Sequence, residues 1–253
     1  MPGHTPFGQR VQGVQGQRSI NPLSLPGLEL YLRSDLGIVA VDGAPVNSWA
    51  DQSGNGRNAG LSLGTQPTYH STGATLSPSG KPAVTFNGLL DGMVGTWPAL
   101  STAAGFTAYI LARAKPIVNG FTSQTFWSSQ GAHPNLIQDL FFGGQDFLLM
   151  QDTDFGNRNY GLTQTGYHDF EFVCLPPPGV GGGDNLGYID GVTTGPSIID
   201  WGWTAPGPNY QLGFNGAANC NMDLFAIAIY SIGHDASTVA GVRRFLRSGG
   251  QFG

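Results

Sequence analysis

Three oxygen-bearing side chains alternate in a short polar stretch, and their spacing matches half of a calcium-binding loop. Asp51, Ser53 and Asn55 stand at every second position and Gly56 follows them, as in the first half of an EF-hand loop. The bidentate Glu that such a loop needs at its twelfth position is missing, and no helical pattern flanks the stretch. We therefore favour a structural loop, in which these side chains accept hydrogen bonds from backbone N–H groups and Trp49 fixes the loop to a core.

A pair of indoles is the best candidate for sugar recognition. Trp201 and Trp203 fall on one face of an extended segment. An indole combines a flat apolar face with one N–H, which suits a sugar ring or a protein interface. The candidate carbohydrate- or partner-binding residues are Trp201, Trp203, Tyr210, Asp200 and Asn209, with Trp97 and Trp127 as further candidates. Packing in a core is the alternative for these aromatic residues.

Other catalytic and metal-binding patterns are missing from the sequence. It contains no Gly-x-Ser-x-Gly motif, so nothing supports a nucleophile of the lipase type. The five histidines have no metal-ligand spacing, and the two cysteines, Cys174 and Cys220, stand far apart. We predict two buried thiols, although the sequence leaves open that they pair.

Short alternating and apolar segments predict the strands that would position these groups. The 40 Gly and 17 Pro residues, spread among apolar runs, favour many strands joined by turns. Asn87-Gly88 and Asp190-Gly191 predict hairpin turns. Asp235, followed by apolar residues at helical spacing, predicts one C-terminal helix. Strands are predicted over 28–33, 83–86, 106–113, 167–175, 186–189, 192–194 and 222–230, the last of them covered on both faces.

The loop motif resembles that of a known family. Over 48–59 the sequence reads Ser-Trp-x-Asp-x-Ser-Gly-x-Gly-x-x-Ala. This is similar to the signature loop of the concanavalin A-like lectin/glucanase superfamily, in its laminin-G-like branch. Further similar segments occur in order at 28–33, 66–69, 80–88, 106–113, 187–191 and 223–230.

The resemblance covers about residues 28–248 and implies an all-β fold. The expected architecture is a concanavalin A-like antiparallel β-sandwich, or jelly roll, with one short C-terminal helix. That superfamily includes lectins, hydrolases, adhesion modules and virion proteins, so the resemblance is specific for fold rather than for function.

The resemblance also identifies the carboxylates that a hydrolase of this kind would need. Its glycoside hydrolases carry Glu-x-Asp-x-x-Glu on one strand, because two carboxylates must flank the scissile bond. The chain has two Glu residues, Glu29 and Glu171, and neither lies in that pattern. Asp169 and Glu171 share a strand face, but Val173 takes the next position on it. We therefore predict no catalytic residues and no enzyme activity, and we expect Asp169 and Glu171 to be solvated.

Relatives of the laminin-G-like type often hold calcium on loop Asp residues, and this chain has one dense acidic cluster. The candidate metal ligands are Asp139, Asp146, Asp152 and Asp154. Turn formation with solvated carboxylates is the alternative for them. No other cofactor is predicted.

The charge of the chain is low and slightly acidic. Charged residues make up 11% of the sequence, against about 25% in a typical soluble domain. With a net charge of −5 and only Lys81 and Lys115 as lysines, the sequence gives no support to nucleic-acid binding, and none is expected. No apolar run approaches the length of a membrane span. A polar but uncharged surface is typical of proteins that lie against other proteins or sugars in a crowded assembly.

The N-terminal region differs in composition from the rest of the chain. Residues 1–26 are rich in Gly, Gln, Pro and Arg, and they cannot bury enough apolar surface to fold alone. We predict two parts, an extended arm over 1–26 and the sandwich domain over 27–253. The arm is either a disordered tail or a segment that orders against a neighbouring subunit through Arg10, Gln12, Gln15 and Arg18.

Together these observations favour a non-catalytic structural or binding protein of a larger assembly. The preferred interpretation is a bacteriophage virion surface component, such as a capsid decoration, fibre or tail protein. It would be made in the host cytoplasm, since no secretory signal is recognised. Its expected partners are other subunits, as a homo-oligomer joined through the arm, and glycans. The alternative is a free carbohydrate-binding module or adhesin, and a glycoside hydrolase is less favoured.

Overall fold

In its described residues the computed structural model contains fourteen strands, one α-helix and two short 3-10 helices, Pro22–Ser24 and Gly73–Thr75. The described residues are 18–62, 64–96, 98, 100, 104–116, 125–129, 137–142, 146–151, 166–174, 183–199, 208–213 and 220–248. The strands are β1 Leu28–Arg33, β2 Gly60–Leu61, β3 Thr68–His70, β4 Ala83–Asn87, β5 Met93–Thr96, β6 Phe106–Ala114, β7 Thr125–Ser129, β8 Ile137–Phe142, β9 Asp146–Gln151, β10 Gly166–Cys174, β11 Gly183–Ile189, β12 Val192–Ile199, β13 Asn209–Gly213 and β14 Asn221–Tyr230. Helix α1 spans Ala236–Arg247.

The strands form two antiparallel sheets. The eight-stranded sheet has the order β12-β11-β10-β6-β14-β4-β3, with β1 also paired to β14. The six-stranded sheet has the order β2-β5-β13-β7-β8-β9. Every pairing between these strands is antiparallel. The predicted all-β antiparallel sandwich with one short C-terminal helix is confirmed.

The main core lies between the two sheets. Alternate residues of β6, from Phe106 to Ala112, point into it, as the period-2 pattern predicts. Ile227 and Ile229 of β14 join this core, whereas Ala228 and Tyr230 pack under the helix on the opposite face. Strand β14 is therefore covered on both sides, as predicted. Burying one such Ile side chain contributes about 1.5–3 kcal/mol.

A second core joins α1 to the outer face of the eight-stranded sheet. Val239, Val242, Phe245 and Leu246 form the buried stripe of the helix. The helix begins as predicted, since Asp235 Oδ1 accepts a hydrogen bond from Thr238 N at 2.7 Å. None of the helices in the described part of the chain is long and apolar enough to cross a membrane.

The two predicted hairpin turns have different outcomes. Asp190 and Gly191 both take positive φ, 53° and 75°, and join β11 to β12 in the expected hairpin. The prediction for Asn87-Gly88 is wrong, because β4 and β5 lie in different sheets and the chain crosses between them there. Gly88 alone takes a positive φ, 77°, and its N–H donates to the Cys220 carbonyl at 3.0 Å.

The described part of the N-terminal segment packs on its own chain. Ile20 N donates to Gly241 O at 3.0 Å, and the Tyr230 hydroxyl donates to Pro22 O at 3.0 Å. Arg244 Nη2 donates to the Arg18 carbonyl at 2.9 Å. Residues 18–26 therefore lie against α1 and β14, while Arg10, Gln12 and Gln15 fall outside the described residues.

Candidate functional site

The polar stretch around Trp49 forms a closed loop that lies along β1. Trp49 and Ala59 exchange backbone hydrogen bonds of 2.8 and 2.9 Å. The Trp49 indole is buried, and its Nε1 donates to the Arg33 carbonyl at 2.9 Å. The indole thus fixes the loop to the main core and to the strand that precedes it.

Asp51 is the acceptor at the centre of this loop. Its Oδ1 accepts from Tyr31 N and Ser53 N, both at 2.9 Å. Its Oδ2 accepts from Ser53 Oγ at 2.7 Å and from Arg57 N at 3.1 Å. The four donors occupy the carboxylate, which is the structural arrangement rather than that of a calcium ligand.

Asn55 also joins the loop to β1, but its side chain donates to carbonyl oxygens instead of accepting from backbone N–H groups as predicted. Asn55 Nδ2 donates to the Leu28 carbonyl at 2.9 Å, and Gly56 takes a φ of 69°. Within the described residues, no group of three His, Cys, Asp or Glu side chains is placed to hold a metal ion.

Two of the four predicted calcium ligands lie in the described part of the chain. Asp139 lies in β8 and Asp146 begins β9, and the strand register pairs them with Leu149 and Phe142. The two Asp residues are therefore three residue pairs apart along the ladder, about 10 Å. Asp152 and Asp154 lie outside the described residues.

The predicted binding residues are divided by the structure. Tyr210 is 0% exposed, and its hydroxyl donates to the Arg57 carbonyl at 2.8 Å. Its assignment as a partner-binding residue is wrong, because alternation along β13 turns it into the core. Asn209 begins β13 and is half-buried, and Trp127 is buried in the main core. The residues outside the described ranges are Trp97, Asp200, Trp201 and Trp203.

The two carboxylates of β10 are not solvated, contrary to expectation. Asp169 is 2% exposed and Glu171 is 1% exposed. Helix α1 lies over them, and its arginines meet them one helical turn apart. Arg247 donates to both oxygens of Asp169 at 2.9 and 2.7 Å, and Arg243 Nη1 donates to Glu171 Oε1 at 3.4 Å. The sequence signal for this contact is the i, i+4 spacing of the arginines opposite the i, i+2 spacing of the acids.

A third carboxylate enters the cluster from the β11–β12 turn. Asp190 Oδ1 accepts from Arg247 Nη2, and Asp190 Oδ2 is 2.7 Å from His168 Nδ1. Burial acts to raise the pKa of Asp190, but its hydrogen bonds with Asp169 and His168 outweigh it, so the pKa is lowered. We call this group, namely Asp169, Glu171, Asp190, His168, Arg243 and Arg247, the helix clamp.

The clamp separates the protonation states of its two buried acids. Burial raises the pKa of Glu171 to about 9, and the neighbouring Asp169 charge adds to the effect. Burial also raises the pKa of Asp169, to about 6, where Arg247 opposes a further rise. At neutral pH Asp169 is therefore charged and Glu171 is protonated.

Such a pair could act as a general acid and base only if a substrate reached it. Glycosidic hydrolysis needs both carboxylates to flank a sugar. Here the space between them and solvent is filled by α1 and its two arginines. The geometry therefore fits a structural contact between helix and sheet.

Comparisons with known proteins find structures of similar fold but no family that matches by sequence. No protein-family profile matches this sequence, and no curated protein sequence does. Several solved structures share its architecture. The chain has the antiparallel β-sandwich fold of these structures.

Two of the similar structures are protein domains that were solved with a bound ligand. One is domain 4 of an extracellular arabinanase of glycoside hydrolase family 43 from Geobacillus stearothermophilus, in complex with arabinotriose; the TM-score is 0.58 at 15% identity, over 85% of this chain and 97% of that one. Another is the binding domain of botulinum neurotoxin DC in complex with SialylT, with a TM-score of 0.58 at 12% identity, over 90% of this chain and 52% of that one.

A third similar structure is that of Trypanosoma rangeli sialidase in complex with sialic acid. Its TM-score is 0.53 at 12% identity, over 89% of this chain and 33% of that one. The chain thus spans about half of the toxin domain and about a third of the sialidase. At these identities the similarities establish the fold alone.

Proposed function

We propose that this chain is a non-catalytic β-sandwich that binds carbohydrate. The observation that carries the non-catalytic part is the helix clamp. Asp169 and Glu171 are the pair of carboxylates on one strand that could resemble a hydrolase site, and both are covered by α1. A substrate could reach them only if the helix left the sheet.

Sugar binding is supported by the ligands bound in structures that share this fold. Three structures with this architecture are complexes with arabinotriose, SialylT and sialic acid. Trp201 and Trp203 remain the predicted aromatic platform, in a segment that leads into β13 at Asn209. Indoles in such a position would supply the apolar face that a sugar ring needs.

A glycan array probed with the full chain tests this proposal. We expect a restricted set of glycans to be retained. Trp201→Ala and Trp203→Ala should weaken retention and lower the melting temperature by no more than about a degree or two, since an exposed indole carries little packing energy. Loss of about 3–5 kcal/mol of stability in either variant would instead place that indole in a core. Retention of no glycan would refute carbohydrate binding.

We further propose that the chain works as a subunit of a larger assembly, such as a phage virion surface. The low share of charged residues, 11%, supports this, as does the Gly- and Gln-rich composition of residues 1–17, the part of the predicted arm that precedes the docked residues 18–26. Light scattering should give an oligomer for the full chain and a monomer for a chain that starts at Arg18, which keeps the docked residues. Equal masses for the two chains would show that residues 1–17 do not join subunits.

A further inference from the structure

His234 is a buried base that neither the helix clamp nor the predicted aromatic platform uses. It lies between β14 and α1, directly before the N-cap residue Asp235, and it is 6% exposed. Its backbone N–H donates to Thr107 Oγ1 at 2.9 Å, and that hydroxyl donates to the Ile232 carbonyl at 2.9 Å. Strand β6, which carries Thr107, therefore fixes the backbone to which the imidazole is attached.

Two buried tyrosines pack around this imidazole. The Tyr109 hydroxyl of β6 stands 2.8 Å from His234 Nδ1. The ring of Tyr230, at the end of β14, has its centroid 4.4 Å from that of His234, and the two tyrosine rings meet edge to face at 5.8 Å. The other ring nitrogen, Nε2, is buried and has no hydrogen-bond partner among the described residues. Within that part of the chain, the Tyr109 hydroxyl is therefore the one hydrogen-bond contact of the imidazole.

The charged and titratable groups around His234 offer little support to a positive ring. Strands β6 and β14 present the two tyrosine hydroxyls, whose pKa values are raised by burial. Asp235 follows in the chain, but its carboxylate is exposed and bonded to the first turn of α1. Beyond Tyr109 lie Glu171, which is protonated at neutral pH, and the cation of Arg243. The start of α1 also carries the positive end of the helix dipole.

A proton on His234 would change both its charge and its hydrogen bonding. The neutral ring can accept from the Tyr109 hydroxyl through Nδ1, whereas the charged ring carries an N–H donor on both nitrogens. The Tyr109 hydroxyl could then no longer donate to the ring, and the Nε2 donor would be buried without an acceptor. An aromatic face attracts a cation, but it does not replace the hydration that a buried charge has lost. Burial accordingly lowers the pKa of His234 to about 4, and Asp235 opposes this only in part.

The same aromatic cluster holds the N-terminal segment. Tyr230, whose ring packs against His234, donates its hydroxyl to the Pro22 carbonyl at 3.0 Å. The next residue along the chain, Ser231, donates its N–H to the Gly27 carbonyl at 2.8 Å. A shift of the imidazole would therefore disturb the first turn of α1 and the contacts of the N-terminal segment together.

We propose that His234 is an acid-sensitive latch, whose protonation loosens the start of α1 and the docking of residues 18–26. In the opened chain the imidazole has its ordinary pKa of 6.5, whereas in the closed chain the pKa is about 4. Between these values the opened chain binds more protons than the closed one. The stabilisation from neutral His234 is therefore complete above pH 6.5 and is lost as the pH falls towards 4. The latch depends on neither carbohydrate binding nor assembly.

Hydrogen exchange followed by mass spectrometry tests the latch in the full-length protein. The wild type is compared with His234→Asn, whose amide oxygen can still accept from Tyr109 but which takes up no proton. Between about pH 6.5 and about pH 4.5, after correction for intrinsic exchange, the protection of residues 18–26 and 232–240 should fall by more than about tenfold in the wild type. His234→Asn should show no such fall. The control, His70→Gln, changes a half-buried histidine of β3 and should respond as the wild type does.

The difference between the two proteins isolates His234, because both keep Asp169, Glu171 and Asp190 of the helix clamp. A titration of the wild-type imidazole by NMR should have its midpoint near pH 4. An equal loss of protection in the wild type and His234→Asn would overturn the latch, as would a midpoint for His234 near the ordinary value of 6.5. A loss spread equally over β4, β5 and the two segments would show global acid unfolding and would also overturn it.

Discussion

At the scale of residues, the chemistry of this chain is governed by burial. Glu171 is a carboxylic acid enclosed between a strand and a helix, with Arg243 against one oxygen. Asp169, two residues before it, keeps its charge because Arg247 contacts both of its oxygens. A charged acid beside a neutral one is what two close carboxylates adopt when only one has a strong cationic partner.

The raised pKa of Glu171 makes stability depend on pH. Between pH 4.5 and about 9 the folded chain keeps a proton that the unfolded chain releases, so stability falls as pH rises. Glu171→Gln removes this titration and should raise the free energy of unfolding by about 1–2 kcal/mol at about pH 8.5, with no gain near pH 4. Urea unfolding at the two pH values measures the difference. Glu29→Gln, which changes the half-buried partner of Arg57, is the control and should show no gain at high pH.

Asp51 should contribute far more to the free energy of unfolding than Asp42, which accepts similar hydrogen bonds in an exposed loop. Asp51→Ala leaves three backbone N–H groups without an acceptor in a partly buried loop, and we expect a loss of about 2–4 kcal/mol. Asp42→Ala removes a similar set of bonds to Ser71 and Thr72 at an exposed site, where water replaces them. Its cost should be about 1 kcal/mol or less. Equal losses in thermal unfolding would show that the Trp49 loop does not organise the chain.

The sequence predicted the local chemistry of the Trp49 loop because its partners are close along the chain. Asp51 accepts from Ser53 N, two residues on, as the spacing predicted, and its bond from Arg57 N lies within the same loop. The environment of Glu171 could not be predicted in that way, since its partner Arg243 is 72 residues away. Whether a carboxylate on a strand is solvated depends on what covers the sheet, which strand alternation does not reveal.

At the scale of elements, α1 connects three parts of the molecule. It covers the helix clamp, packs Phe245 and Leu246 into the second core on the outer face of the eight-stranded sheet, and receives residues 18–26 at Gly241. A methyl group at Gly241 would come within 2.5 Å of Ile20. The glycine therefore allows the N-terminal segment to lie directly on the helix backbone.

A double-mutant cycle tests this contact. Ala is favoured over Gly inside a helix by about 1 kcal/mol, yet Gly241→Ala in the wild-type chain should lose about 1 kcal/mol because its methyl displaces Ile20. In an Ile20→Ala background the same change should become stabilising, by up to about 1 kcal/mol. Chemical unfolding of the four proteins measures the reversal. The same sign in both backgrounds would mean that residues 18–26 do not dock at Gly241.

Elements were predicted better than their connections. The strands at β6, β10 and β14 and the helix after Asp235 follow from periodicity and capping, which are local. The Asn87-Gly88 turn failed because a turn dipeptide reports a change of direction, not which strand comes next. Here the following strand belongs to the other sheet.

At the scale of the whole molecule, two cores share the eight-stranded sheet. The inter-sheet core makes the sandwich, and the helix core closes the outer face that would otherwise expose Asp169 and Glu171. The sandwich itself was predictable from strand count, turns and the loop motif. The apolar pattern of β14 indicated that both of its faces are covered, but the cover over Asp169 and Glu171 was not predictable, since it depends on a helix meeting the sheet at long range.

Native mass spectrometry of the full chain with a glycan retained on the array tests the central proposal most directly. It reports the mass of the complex and of the bound sugar together. We predict a complex whose mass equals the protein plus the intact glycan, unchanged on prolonged incubation. A bound or released sugar shorter than the one added would contradict a non-catalytic role, and a chain that stays free of glycan would contradict carbohydrate binding.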